Sequence, residues 1–193
     1  VRMSTTHAVA VTFEHILVPT DFSDVSQRAL DYAKTLAKQG DSELLLAHVS
    51  PGANLITPPE AAWIDATEIE SLEEQELEQS GAALRSEGYR VRTIPLMGPL
   101  YDELLSAIEQ YKVDLIVLGT HGRKGVERLL LGSDAEALLR HARCPVISIG
   151  PGVAENKTWD IREVICAPTL EPHSADLVAY AQKLALQHGA GLI

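Results

Sequence analysis

The 193-residue sequence has few cysteines, few basic residues and no long hydrophobic run, and each shortage argues against a class of protein. Cys144 and Cys166 are too few for a disulfide scaffold or a cysteine-based zinc site, so we expect two reduced, buried thiols in a cytoplasmic protein. No apolar run approaches the roughly 20 residues of a membrane-spanning helix. Because 27 acidic residues outnumber 16 basic ones, the net charge of −11 argues against binding to nucleic acids or anionic membranes. The seven histidines show no metal-ligand spacing, so no metal site is predicted.

What the sequence does contain is an alternation of short apolar runs with helical patterns. The predicted strands are residues 15–19, 44–49, 91–97, 113–118 and 145–149, and the predicted helices are residues 24–39, 60–87, 100–110 and 133–141. Continuous apolar strands separated by helices indicate a parallel sheet that is covered on both faces. The sequence therefore predicts an α/β fold with an open five-stranded parallel sheet, for which we assume the strand order 3-2-1-4-5.

The C-terminal part of the sequence predicts a partial second repeat. Residues 165–169 align with residues 16–20, and the helical pattern after them aligns with the first predicted helix. We expect a first domain over residues 1–150, a linker over 151–162, and a strand–helix fragment over 163–193 from a truncated tandem protein. Because such a fragment cannot bury its own apolar face, it must pack on the first domain, on a second copy or on missing sequence.

A glycine-rich loop follows the fourth predicted strand. Gly119, Gly122 and Gly132 have the spacing Gly-x2-Gly-x9-Gly, and Ser133 begins the next predicted helix. Free backbone N–H groups and the positive end of a helix dipole suit a phosphate group. The alternative is an ordinary loop that ends in a capping box at residues 133–136, which needs no ligand.

The assumed strand order brings this loop to the end of the first strand. Open parallel sheets bind ligands where the winding direction reverses, beyond the carboxyl ends of the strands. Pro19, Thr20 and Asp21 follow the first strand there, and Gly119 ends the fourth. Asp21 is a good acceptor for a ribose hydroxyl or a ring amine, and it can equally cap the helix that follows.

Basic residues within the glycine-rich loop have two interpretations. His121 and Arg123 belong to a patch that either complements a polyphosphate or consists of solvated loop charges. No nucleophile or carboxylate partner for His121 is evident, so we predict no catalytic residue.

Three segments carry a resemblance to a known family. Residues 16–23 (Ile-Leu-Val-Pro-Thr-Asp-Phe-Ser), the glycine spacing and residues 138–146 together resemble the universal stress protein family over residues 14–150. The resemblance implies an adenine nucleotide alpha hydrolase-like fold that binds ATP or AMP and dimerises through its fifth strand. It also implies these roles: Asp21 at the ribose beside Pro19 and Thr20, the backbone of Val49 at adenine, Gly119, Gly122, Gly132 and Ser133 at the phosphates, and His121 and Arg123 flanking them.

One departure from the family pattern concerns the phosphates. Asp134 follows Ser133, and a carboxylate there repels phosphate unless a Mg²⁺ ion lies between them. The sequence thus predicts an ATP- or AMP-binding stress-response protein, with or without Mg²⁺, that forms a homodimer through the edge strand at residues 145–149. Two alternatives stay open: a slow ATPase or phosphoryl-transfer enzyme at the same site, and a nucleotide-free dimerisation scaffold.

Overall fold

The computed structural model describes residues 12–50, 66–120, 136, 138, 140–150, 153, 159, 161–168 and 174–193. The chain divides into two compact units. The larger unit covers residues 13–155, and the described residues of the smaller unit are Thr12, Trp159, 161–168 and 174–193. The division into domains predicted from the sequence stays a prediction.

The larger unit is built from alternating strands and helices. Its elements are β1 (His15–Pro19), α1 (Asp24–Gly40), β2 (Glu43–Ser50), α2 (Ala66–Ser86), β3 (Arg90–Met97), α3 (Leu100–Gln110), β4 (Leu115–Gly119) and β5 (Val146–Ile149). Four parallel pairings give one five-stranded sheet in the order β3-β2-β1-β4-β5. The structure therefore confirms the predicted α/β fold and the assumed strand order.

Both faces of this sheet are covered. On one face, Leu17 and Leu45 form a buried cluster with Leu104 of α3 and with Leu138, a helical residue after the glycine-rich loop. Successive strand residues point to opposite faces, so Leu44, fully buried, faces the side occupied by α1 and α2. Because both faces are covered, β2 and β4 each contain four consecutive buried residues, which is why these strands are continuously apolar.

The ends of the elements differ slightly from the predictions. The predicted helix over residues 24–39 extends through Gly40, and Asp41 is the left-handed residue (φ 52°) whose N–H donates to the carbonyl of Ala37. The short polar side chain of aspartate tolerates that conformation. β4 begins at Leu115 rather than at residue 113, because Lys112 (φ 53°) still lies in the turn after α3. The predicted start of the second helix, residues 60–65, lies outside the described residues.

The smaller unit contains a second, short β-α-β arrangement. β6 (Glu163–Val164) pairs in parallel with β7 (Gly191–Leu192), and α4 (Ser174–His188) connects them along the chain. Ala181 and Ala185 of α4 are buried, whereas Ile165 and Leu186 are exposed. Across the described parts of both units, no helix is long and apolar enough to cross a membrane.

Candidate functional site

The switch point of the sheet lies between β1 and β4, where the crevice of an open α/β sheet is expected. These strands pair only at Ile16 with Leu115 and at Leu17 with Ile116. Beyond this short ladder, among the described residues, β1 is paired only with β2, and β4 is paired only with β5, as far as Gly119. The strand order reverses here, which is the position at which open α/β sheets bind ligands.

The first turn of α1 packs against Gly119 at the carboxyl end of β4. A Cβ atom at Gly119 would lie 3.0 Å from Val25 Cγ1 and 3.1 Å from the backbone nitrogen of Ser26. Gly119 does not have a positive φ angle, so the glycine is needed for space rather than for an unusual backbone conformation. In the structure it is the start of α1 that lies close to Gly119, and the predicted role of Gly119 at a phosphate stays a prediction.

Asp21 supports the residue that caps α1 and does not cap the helix itself. Its Oδ1 accepts hydrogen bonds from the backbone N–H of Ser23 (3.1 Å) and from the Ser23 hydroxyl (2.6 Å). The Ser23 oxygen in turn accepts from the N–H of Ser26 (3.3 Å), so Ser23 is the N-cap of α1. These bonds hold the Asp21 carboxylate, half-buried, beside the start of α1.

Two residues that the sequence analysis did not select hold this loop in place. Phe22 has a strained left-handed backbone (φ 61°), and its N–H donates to the Thr20 hydroxyl (3.0 Å). The Phe22 ring lies 4.6 Å from the imidazole of His48, whose Nδ1 is 2.8 Å from the carbonyl oxygen of Thr20. The signal for His48 was a titratable residue near the end of an apolar strand.

The predicted site residues divide into two groups. Thr20 and Gly119 both contact the start of α1. The hydroxyls of Thr20 and Ser26 are 3.2 Å apart, and a Cβ atom at Gly119 would lie 3.1 Å from the Ser26 nitrogen. Pro19 ends β1 beside Ala47. The remaining predicted residues, His121, Gly122, Arg123, Gly132 and Ser133, and also Asp134, lie outside the described residues.

Val49 packs against the core, and its backbone lies beyond the β1 ladder. Its side chain is half-buried against the cluster that contains Leu45 and Ala47. β2 runs three residues past Ala47, its last residue in register with β1. The backbone of Val49 therefore has no ladder partner in β1 and pairs only with Leu96 of β3.

The described residues include two free thiols and no cluster of metal-ligating side chains. Cys144 and Cys166 are free thiols, but both are half-buried rather than buried as we expected. Burial raises the pKa of the Cys144 thiol, which keeps it protonated and unreactive. The described part of the chain contains no cluster of three or more histidine, cysteine, aspartate or glutamate residues that could hold a metal ion.

Comparisons with known proteins identify the universal stress protein family. The model of the universal stress protein family matches residues 12–149. The chain is 38% identical over 141 residues to universal stress protein MJ0531 of Methanocaldococcus jannaschii, covering 71% of this chain and 82% of that protein. The solved structure of hypothetical protein MJ0577 from the same organism has a TM-score of 0.64 at 26% identity, covering 72% of this chain and 97% of that one. A universal stress protein solved in complex with cAMP has a TM-score of 0.51 at 24% identity, covering 72% and 98%.

A longer structure matches most of the chain. A universal stress protein structure from Pseudomonas aeruginosa covers 93% of this chain, with a TM-score of 0.65 at 20% identity, and the match spans 60% of that protein. At this identity the likeness shows the fold alone.

Proposed function

Because the chain belongs to the universal stress protein family, we propose that it binds an adenine nucleotide, ATP or AMP, in the crevice between β1 and β4. Occupancy of that site, rather than rapid turnover, is then the activity of the protein. To regulate a partner protein, the chain needs only a conformation that changes with the bound nucleotide.

The observation that carries the proposal is the divergence of β1 and β4. Their ladder ends at Leu17 and Ile116, and the polar residues Thr20 and Asp21 follow β1 at the resulting opening. A ribose needs a hydrogen-bond acceptor such as the half-buried Asp21 carboxylate, and the backbone of Val49, beyond the β1 ladder, would contact adenine as the family resemblance implies. The phosphates would lie at Gly122, Gly132 and Ser133, with His121 and Arg123 beside them, as the family resemblance implies.

Ligand choice is tested by including cAMP beside ATP and AMP. The cAMP complex is a property of that structural neighbour, and it supports an adenine nucleotide here only through the shared family. Asp134 would repel phosphate directly, so we expect Mg²⁺ to strengthen ATP binding more than AMP binding.

The experiment is calorimetric titration of the protein with each nucleotide, with and without Mg²⁺. Replacing Asp21 with Ala should weaken ATP binding about tenfold, since a hydrogen bond to a charged group is worth about 1.5–3 kcal/mol. Asp24, exposed in the first turn of α1, offers a matched control, and Asp24→Asn should leave ATP affinity unchanged. Equal ATP affinity in wild type, Asp21→Ala and Gly132→Val would refute the proposed site.

The two other functions make different predictions for the same samples. Release of phosphate above background that Gly132→Ala removes would favour a slow ATPase. Absence of any nucleotide binding would favour the dimerisation scaffold.

We also propose that two copies pair through β5, the last strand of the five-stranded sheet. The carbonyls of Pro145 and Ile149 accept hydrogen bonds from the N–H groups of Ile116 in β4 and of Thr120 just after β4, so the alternating Ser148 N–H points to the outer edge. Ser148→Pro removes that donor without breaking the ladder to β4 and should shift the protein to monomer in sedimentation velocity. A Ser148→Pro variant that stays dimeric would place the interface elsewhere.

A further inference from the structure

The five-stranded sheet ends in two edge strands, β3 and β5, and the outer edge of β3 has a readable set of backbone groups. The N–H of Gly98, just after β3, donates to the carbonyl of Ser50 in β2. The register with β2 runs without interruption from residue 90 to residue 97. Because backbone groups alternate in direction along a strand, the groups that point away from β2 belong to residues 91, 93, 95 and 97.

Pro95 removes a donor from the middle of this outer edge. Its nitrogen carries no hydrogen, and the alternation places that nitrogen on the side away from β2. Proline is tolerated within an edge strand in this orientation, because the ladder to the neighbouring strand loses nothing. A strand added outside β3 would instead present a carbonyl to a position that has no N–H. Pro95 is exposed, so this position faces an approaching strand.

Arg85 occupies the outward carbonyl near the beginning of the same edge. From α2, its Nη1 donates to the carbonyl oxygen of Val91 (3.2 Å). Its Nη2 pairs with Glu78 Oε1, and Glu78 Oε2 accepts from the Thr93 hydroxyl (2.7 Å). One carboxylate thus ties the guanidinium to the strand. A strand paired with β3 would lie about 4.8 Å away and would need the space beside Val91 that the guanidinium takes.

The outer edge of β5 differs in its backbone donors. The residues of β5 that point away from β4 are Val146 and Ser148, and both have an N–H. Open strand edges pair with other strand edges, so a chain with two open edges can join copies on both sides. Repeated pairing on both sides gives a filament rather than a closed dimer.

We infer that Arg85 and Pro95 close the β3 edge to strand pairing, so that copies of this chain associate through the β5 edge and not through β3. The consequence, a pair of chains that does not grow, rests on the proposed β5 dimer. The closure itself is a property of β3. It is therefore testable in the Ser148→Pro variant, in which the β5 edge has lost its donor.

The test opens the β3 edge of the full chain by Arg85→Ala and Pro95→Val together. In sedimentation velocity, these changes should give a roughly doubled mass relative to the Ser148→Pro parent, because two opened β3 edges can pair about a two-fold axis. In the chain that keeps Ser148, the same changes should give species larger than a dimer that grow with concentration. Should Ser148→Pro itself stay dimeric, the β5 proposal fails, while comparison with that parent still tests β3.

Arg140→Ala together with Pro99→Val is the matched control. Arg140 is exposed and pairs with Glu136 as Arg85 pairs with Glu78, and Pro99 precedes α3, outside the strand. This variant removes the same two residue types without touching the β3 edge, so it should keep the mass of its parent. Circular dichroism verifies that each variant is folded.

Hydrogen exchange followed by NMR tests the edge without any substitution in β3. In the Ser148→Pro protein, the outward N–H of Thr93 should exchange at least about tenfold faster than the N–H of Ile94, which points to β2. Pairing in the opened variant should slow the exchange of Thr93. An unchanged mass in the folded opened variant, an equal gain of mass in the control, or equally slow exchange of Thr93 and Ile94 before opening would overturn the inference.

Discussion

Replacement of Gly119 by Ala should destabilise the larger unit by forcing α1 away from β4. The added Cβ atom would meet Val25 Cγ1 at 3.0 Å, the backbone carbonyl carbon of Val25 at 3.1 Å and the backbone nitrogen of Ser26 at 3.1 Å. Ordinary carbon contacts begin near 3.5 Å, so the helix start must move by a few tenths of an ångström. Two of the three atoms are backbone, which a side-chain rotation cannot relieve.

The size of the effect follows from how firmly α1 is held. The helix begins at the Ser23 cap, and its buried face, which includes Ala29 and Ala33, packs against the sheet. Overpacking of a well-packed core costs typically 1–3 kcal/mol, and we expect about 2 kcal/mol here. At two to four degrees per kcal/mol for a unit of this size, the melting temperature should fall by about 4–8 °C.

The assay is urea unfolding followed by far-ultraviolet circular dichroism. Gly150→Ala serves as the control, because the nearest atom to a Cβ there is the Thr120 hydroxyl oxygen at 3.8 Å. That variant should unfold within about 0.5 kcal/mol of wild type. If Gly119→Ala unfolded at the wild-type urea concentration, or if Gly150→Ala lost as much stability, the steric explanation of Gly119 would be wrong.

Three further results are expected. Leu104→Ala should lower the free energy of unfolding by about 3 kcal/mol, because Leu104 is 1% exposed within the core cluster; urea unfolding measures the loss. The Thr93 hydroxyl donates to Glu78 Oε2 (2.7 Å) and is the main reason for the lowered pKa of Glu78, so Thr93→Val should raise that pKa towards its ordinary value in an NMR titration. Burial lowers the pKa of His188, so the unfolded chain binds more protons below about pH 6.5. Acidification through that range should therefore destabilise α4, and the helix signal of His188→Gln should depend less on pH.

Apolar periodicity predicted the elements of the larger unit because that unit repeats one arrangement, a strand followed by a helix. Each βα unit has a strand that is buried on both faces, as Leu44 to Ala47 are, and a helix with one apolar face. The errors fall at element ends, where single residues decide. Asp41 and Lys112 take the left-handed conformation in the turns after α1 and α3, because turn geometry depends on local hydrogen bonds as well as residue type.

The candidate site was only partly predictable because hydrogen bonding, unlike burial, has no sequence period. Pro19, Thr20 and Asp21 were selected because chain order and strand order place them at the switch point. His48 and Phe22 were missed, since their role depends on contacts across the loop between residues 26 positions apart. The Asp21 carboxylate bonds to Ser23, the N-cap of α1, which the sequence pattern alone did not indicate.

Gly119 shows how one residue joins the fold to the proposed function. The sequence suggested a glycine that a phosphate could approach, whereas the structure shows a glycine that the start of α1 approaches. These roles are compatible, because a helix start packed against the end of β4 holds the Asp21 loop at the same crevice. A larger side chain at Gly119 should therefore weaken nucleotide binding through the position of Asp21 even where the glycines after it are intact. The variant Gly119→Ala with a tenfold lower ATP affinity and a shifted Asp21 carboxyl NMR signal would support this coupling, and unchanged values for both would contradict it.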